Sequence, residues 1–427
     1  MTIAPTASPP RLTRSSTKRI SLPEHLELHG HAPVVGEHDR QALIDEVSRA
    51  GLRGRGGASF PTATKLTAVA ESGRDGVVVV NGAEGEPASA KDRWLLERSP
   101  HLVLDGSLLA AAAVGASEVI VCVGGRSAGA WDSVAHAFAE LDATSPPPIP
   151  MRLVAAPASY LAGEESALVR FLNGGPAKPT FIPPRPFESG VGRRPTLVQN
   201  VETLAHLALI ARHGADWFRQ AGTASESGTA LVTLSGGVAV PGVYEIEPGT
   251  PLRDLLGRAG GATDAVRALL LGGYFGSWVD VADARNLVLD EEHLRPLGTS
   301  FGSGVIAVLT DSDCGVAETA RVLAYLSDEA AGQCGPCTNG LGAIAGAVSR
   351  IARGAAEPDI DESLARWCAM VPGRGACHHP DGAVRFAVSA LNVFQPELAD
   401  HRQHGLCAHC TAPAVLPVPQ STPNRGR

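Results

Sequence analysis

The chain has 427 residues, 44% apolar and 4% aromatic, with 48 Gly, 32 Pro and a formal net charge of −8. That length accommodates two or three domains, and that apolar share supports buried cores rather than low-complexity sequence. The acidic balance excludes a general nucleic-acid binder, which would carry a basic excess, and eight Cys in 427 residues are too sparse for a disulfide-stapled secreted fold.

Residues 1–22 are rich in Pro, Ser and Thr and hold no apolar h-region, so no secretory signal is expected and residues 1–30 read as a disordered tail. From residue 31 to 222 strands alternate with helices. Asp39–Ala50 predicts an amphipathic helix ending at Gly51. Gly76–Asn81, a β-branched run, predicts a buried strand, followed by a helix over Pro100–Gly115 and a second strand over Glu118–Val123. Ser127–Leu141 predicts another helix, Met151–Ala155 a third strand, and Gln199–Gly214 a further helix. This alternation predicts an α/β domain built on a parallel sheet. The Pro/Arg-rich stretch 176–195 reads as a long ordered loop. The longest apolar run, Leu108–Ala116, is too short to cross a bilayer and is flanked by Asp105 and Glu118, so no direct membrane insertion is expected.

Residues 226–309 predict a small β-grasp module: a strand over Thr229–Ser235, a hairpin from Gly236 to Glu247, a short helix over Pro251–Ala259, and strands at Leu269–Gly273 and Val305–Leu309. Residues 314–404 predict a four-helix bundle from Val316–Ala330, Leu341–Arg353, Asp361–Val371 and Asp381–Phe394. Residues 405–427 read as a flexible Pro-rich tail.

Four segments carry chemistry. Gly51–Lys65 begins with four glycines in seven residues; without Cβ atoms such a backbone can approach a phosphate or a flat ring, and Arg55 and Lys65 could neutralise the charge. Asn81-Gly-Ala-Glu-Gly-Glu86 follows a predicted strand, where ligands of open α/β sheets bind. Tyr160-Leu-Ala-Gly-Glu-Glu165 opens a helix, whose start also favours carboxylates for purely structural reasons. Cys334 and Cys337 form a C-x-x-C, and Cys377 follows 40 residues after Cys337. Thiols so placed, on Gly/Pro-rich loops between helices, suit a metal or an iron–sulfur cluster. Cys122 reads as a small apolar core residue. Cys314 stands apart, and the pair Cys407 and Cys410 divides evenly between a metal-binding pair and an exposed tail pair without a role.

These motifs, with Gln199-Asn-Val-Glu-Thr-Leu-Ala205, resemble in order those of the FMN-binding, NADH-oxidising flavoprotein subunit of respiratory complex I and the corresponding subunits of NAD-linked hydrogenases and formate dehydrogenases. The resemblance runs from about residue 40 to 396 and includes a β-grasp module of the soluble-ligand-binding type. It implies that Gly54, Arg55, Gly56, Gly57 and Lys65 hold FMN, with Asn81, Glu84, Tyr160, Gly163, Glu164, Glu165 and Asn200 completing the pocket. Phe60 and Glu86 match positions that contact NADH, and Cys334, Cys337 and Cys377 match three of four ligands of a [4Fe–4S] cluster. No catalytic residue beyond the flavin is implied.

The departures are specific. The family's first cluster Cys falls on Ala331, which leaves a [3Fe–4S] cluster or a fourth ligand from water, His378, Cys368 or a tail Cys. The acidic residue of the second motif falls on Ala83, and an Asn on Gln199. A Lys and a stacking Phe near the nucleotide become Ile182 and Arg185. The implied protein transfers electrons from NADH, or NADPH, through FMN and one cluster to a ferredoxin-like or iron–sulfur acceptor subunit. It is expected in the cytoplasm, alone or peripheral to a membrane complex. The rival reading is a scaffold or electron-relay paralogue that keeps the fold and does not oxidise NADH.

Overall fold

A computed structural model describes residues 11–13 and 18–419. They form two compact units. The first holds the described residues up to Gly82, with 92–155 and 186–230; the second holds 83–91, 156–185 and those from Leu231 onward.

The first unit is built on strands β1 (Gly76–Gly82), β2 (Ala116–Gly124), β3 (Met151–Ala156) and β4 (Thr196–Asn200), in the order β3-β2-β1-β4. β1 runs parallel to β2, with Val78 opposite Val119, and parallel to β4, with Val79 opposite Val198. The four consecutive valines Val77–Val80 are fully buried, as expected of a central strand covered on both faces. β4 is not visible in the sequence: its five residues lie between Pro195 and a helix start, too short a run to show a period.

Helix Pro100–Val114 packs against β1, β2 and helix Val201–Phe218. The two helices approach through Gly106, where an added Cβ would stand 1.9 Å from the Leu204 carbonyl oxygen. Backbone cannot yield as a flexible side chain does, so Gly106→Ala is expected to lower stability by about 1–3 kcal/mol or more. Urea unfolding followed by circular dichroism measures this, and an unchanged midpoint would contradict it.

The disordered tail expected over residues 1–30 gives way to structure at Leu22–His29, a helix with Ser21 and Glu24 forming a capping box and a Pro in its first turn. Its buried His25 meets the Asp105 carboxylate at 2.8 Å. The capping signal is present in the sequence but is outweighed by the polar composition before it. Residues 1–10 and 14–17 lie outside the described part.

The second unit contains a five-stranded sheet of β5 (Ala230–Gly236), β6 (Gly242–Ile246), β8 (Val266–Leu271), β9 (Ser277–Asp280) and β11 (Val305–Thr310), ordered β6-β5-β11-β8-β9. β11 is parallel to β5 and antiparallel to β8, which is antiparallel to β9. The two-residue strands β7 (Thr250–Pro251) and β10 (Val288–Leu289) pair beside it. Leu255, Leu269, Ile306 and Val308 form the core under helix Leu252–Arg258.

The expected bundle helices lie at Gly315–Asp328, Leu341–Ala352, Ile360–Met370 and His379–Val393. Leu341, Ile344, Val348 and Ile351 line the buried side of the second, the spacing of an amphipathic helix. Trp278 and Leu309 from the sheet join Leu323, Leu326, Phe386 and Phe394 from the helical region in one core.

A fifth helix, Gln395–His404, extends the set, with Pro396 in its first turn. Proline is tolerated there because the first turn's N–H groups have no intrahelical partner.

The flexible tail expected after residue 404 is, as far as Pro419, packed onto the unit. Leu416 is fully buried. Glu318 accepts the backbone N–H groups of Val415 (3.2 Å) and Leu416 (2.8 Å), and the Tyr274 hydroxyl donates to the Pro417 carbonyl at 2.6 Å. Residues 420–427 lie outside the described part. Among the described residues no helix is long and apolar enough to cross a membrane.

Candidate flavin and metal sites

In the first unit Asn81 and Asn200 lie opposite each other at the carboxyl ends of β1 and β4, where an open α/β sheet presents its ligand crevice. Asn200 also caps helix Val201–Phe218: its Oδ1 accepts from Glu202 N–H at 2.9 Å, and its Nδ2 donates to Asp92 at 2.6 Å. The glycine loop folds against this helix start. Gly54 N–H bonds the Phe60 carbonyl (2.8 Å), and Arg55 N–H bonds Thr203 Oγ1 (2.8 Å). A Cβ on Gly56 would lie 3.3 Å from Asn200 Cβ, and Gly57 has φ +107, a region that favours glycine.

The Arg55 guanidinium points inward. Its Nη2 donates to Ser227 O at 3.3 Å, while its buried Nε has no hydrogen-bond partner among the described residues and stands 3.9 Å from Glu202. A glycine cradle at a helix N-terminus with an inward cation fits an anionic phosphate. Lys65 lies on helix Thr62–Ala70 and is partly exposed; Phe60 is 47% exposed.

In the second unit the segments carrying Glu84 and Tyr160 run in close backbone contact. A Cβ on Gly85 would lie 2.1 Å from Tyr160 O, and one on Gly163 2.3 Å from Ala83 O. Glu84 accepts from Ser89 Oγ at 2.6 Å. Glu164 caps helix Glu165–Leu172, accepting from Ala167 N–H at 2.9 Å, and Glu165 occupies the first turn.

Glu86 sits in a tight polar pocket. It accepts from Tyr274 N–H (2.8 Å), Tyr160 Oη (3.0 Å) and Ala88 N–H (3.2 Å). Burial outweighs these donors, and Glu84 adds to it, so the carboxyl is pushed up to about 7. Tyr160 packs on Phe275 with ring centroids 4.9 Å apart. Ile182 and Arg185 are both exposed.

The structure brings Cys334, Cys337 and Cys377, the expected cluster ligands, to one place in the second unit. Cys334 and Cys337 Sγ are 3.5 Å apart, and Cys337 lies in a single π-helical turn, Pro336–Gly340, that runs into helix Leu341–Ala352. Burial would raise the Cys334 thiol, yet N–H groups of Ala376 and Cys337 and the Cys337 thiol hold it below its ordinary value. Backbone N–H groups also reach Cys337 from Gly332 and Cys377 from His379. Thiols supplied with N–H donors by adjoining loops form the donor set an iron–sulfur cluster takes.

Ala331 is buried, and its carbonyl accepts from Lys178 at 2.9 Å. Among the fourth-ligand candidates, His378 presents a fully exposed side chain, and Cys368 is buried on helix Ile360–Met370, where burial pushes its thiol to about 11. Cys122 is fully buried in β2, its thiol pushed to about 12.

The tail cysteines lie elsewhere. Cys407 and Cys410 meet Cys314 and His401, four residues whose donor atoms all lie within 4.8 Å of one another. Sequence reasoning missed Cys314 and His401 as partners. The signal was only the pairing of two stray residues with a C-x-x-C across a turn, and no spacing rule connects them.

Residues 47–209 match the family model of the Nuo51 FMN-binding domain, residues 231–273 the SLBB domain, and residues 317–401 the NADH-ubiquinone oxidoreductase-F iron-sulfur binding region. Over 386 residues the chain is 32% identical to the second F subunit of the NADH-quinone oxidoreductase of Rhizobium meliloti (strain 1021), covering 87% of this chain and 91% of that protein. The chain belongs to the family of NADH-quinone oxidoreductase F subunits. It is also 30% identical to the mitochondrial NADH dehydrogenase [ubiquinone] flavoprotein 1 of Dictyostelium discoideum, over 84% of this chain and 78% of that one.

Among solved structures, an NAD+-reducing [NiFe]-hydrogenase in the H2-reduced state superposes with a TM-score of 0.80 at 31% identity. The match covers 87% of this chain and 64% of the hydrogenase chain. Cys314, Cys407 and Cys410 lie outside the residues matched by the family models.

Proposed function

We propose that this chain oxidises NADH and passes the electrons, through FMN and one iron–sulfur cluster, to a partner protein. The observation that carries the proposal is the coexistence of a glycine cradle holding the inward, buried guanidinium of Arg55 with three N–H-supplied thiols at Cys334, Cys337 and Cys377. Bound FMN would supply a two-electron acceptor that also releases electrons singly, and the cluster a one-electron carrier.

On the first unit Gly54, Arg55, Gly56, Gly57 and Lys65 would hold the phosphate, with Asn81 and Asn200 at the strand ends. On the second, Glu84, Tyr160, Gly163, Glu164 and Glu165 are the residues the family resemblance assigns to FMN binding. Phe60 offers an exposed ring for stacking, and Glu86 a carboxyl held by three donors. The acceptor is a ferredoxin-like or iron–sulfur subunit.

Anaerobic mixing with NADH and with NADPH tests the reading: NADH is expected to bleach the flavin, and bleaching with neither would reject it. Arg185, where the family has an aromatic, favours some use of the phosphorylated cofactor. Acid extraction is expected to release FMN, since one phosphate cradle is present and no second nucleotide fingerprint stands in the sequence.

Glu86 sets a pH dependence. Its folded pKa is raised from 4.5 to about 7, so the stability contributed by its neutral form is complete below about 4.5 and is lost as pH rises through about 7. Its charge above pH 7 opposes an anionic dinucleotide. NADH affinity is therefore expected to fall as pH rises through about 7, and Glu86→Gln to flatten that limb. A pH profile of kcat/KM checks this; an identical limb in the variant assigns it to another group.

A further inference from the structure

The structure assigns a second metal site to this chain: Cys314, His401, Cys407 and Cys410 form a closed Cys3His site for one zinc ion. Cys410 Sγ lies 3.6 Å from Cys314 Sγ, 3.6 Å from His401 Nε2 and 3.4 Å from Cys407 Sγ, and Cys314 Sγ lies 3.6 Å from His401 Nε2. A tetrahedral zinc with sulfur at about 2.3 Å and nitrogen at about 2.0 Å puts its ligand atoms about 3.5–3.8 Å apart. A disulfide is a different arrangement, since bonded sulfurs stand about 2.05 Å apart. A four-iron cube, whose ligands sit outside separate corners, spreads its four donors farther than one ion does. Four donors converging within 4.8 Å of one another therefore select a single ion.

The surroundings agree. His401 is fully buried, and its Nδ1 donates to the Ala352 carbonyl at 3.2 Å. That bond fixes the tautomer with the Nε2 lone pair toward the sulfurs, the outer-shell arrangement that orients metal-bound imidazoles. Cys314 is buried at the start of helix Gly315–Asp328 and receives Ala317 N–H at 3.2 Å. Three thiolates and an imidazole suit zinc. Four protein ligands leave no open position, so the ion is structural.

The ligands come from three places: the start of helix Gly315–Asp328, the last turn of helix Gln395–His404, and the tail. The ion thus ties residues 407–410 to the bundle, which accounts for the packed course of the tail through Leu416 and Pro417. The site is separate from Cys334, Cys337 and Cys377, and it removes the tail cysteines as fourth ligands of the cluster.

Elemental analysis and zinc-edge X-ray absorption of the purified full-length protein test the proposal. One zinc per chain is expected, with three sulfurs and one nitrogen in its shell, as roughly four ligands in all require. Cys410→Ser and Cys314→Ser are expected to lose it at least tenfold faster under a competing chelator. Limited proteolysis should then cut near residue 405 in these variants and in chelator-treated wild type. Because a variant could misfold, the wild-type zinc count and shell decide by themselves. Zinc absent from the wild type, a different shell, or full zinc retained in both variants would each overturn the assignment.

Discussion

Replacing Cys377 with Ser is expected to lower bound iron from about three or four atoms per chain to near zero. Cys334 and Cys337 lie on one turn and can hold only one side of a cluster, while Cys377 belongs to the loop before helix His379–Val393. Without its thiolate two ligands remain, too few for a cube that ordinarily takes four. Cys334→Ser and Cys337→Ser are expected to behave alike, with NADH-dependent flavin bleaching kept and transfer to the partner lost. Cys407→Ser and Cys410→Ser should keep the iron, since those sulfurs belong with Cys314 and His401. Ala331→Cys runs the other way: it restores a thiolate at the position where the family has one, and is expected to slow loss of iron in air. Iron analysis and electron paramagnetic resonance read all of these; full iron in the Cys377→Ser protein would overturn the assignment.

The second large effect is expected at Arg55. Its guanidinium is almost enclosed, and the Glu202 carboxylate 3.9 Å away is 1% exposed. Arg55→Ala takes the guanidinium from beside that buried carboxylate, and breaking a buried pair costs about 3–5 kcal/mol. The same change removes the cation proposed for the flavin phosphate. The variant is therefore expected to be purified without flavin and to unfold at lower urea. Arg55→Lys keeps the charge but not the fork of donors, and should recover part of the stability and little of the flavin. Denaturation curves and flavin content separate the two losses. Wild-type flavin content in Arg55→Ala would remove Arg55 from the phosphate site.

The fold was largely legible in the sequence where periods were long or runs were uniform. Val77–Val80 could only be a buried strand, and Leu341–Ile351 showed one helical face. β4 and β9, at five and four residues, were too short to carry a period, and their pairing is decided by neighbours distant in the chain. Helix Leu22–His29 hid behind a polar segment, and helix Gln395–His404, with Pro396 in its first turn, was not expected beyond Asp381–Phe394. Of the candidate metal chemistry, the C-x-x-C was visible because its two cysteines share a turn. Cys314 and His401 stand 87 residues apart, and only the packing of helix ends and tail brings them to Cys407 and Cys410. The tail looked flexible because proline-rich composition says nothing of a local anchor.

The visible absorption spectrum of the purified, full-length protein, recorded anaerobically before and after NADH, decides whether this chain takes electrons from NADH into a flavin. Flavin bands over a broad iron–sulfur absorbance are expected, with the flavin bands bleaching on addition of NADH. A well-folded protein that is colourless, or coloured but unchanged by NADH, would contradict the proposal.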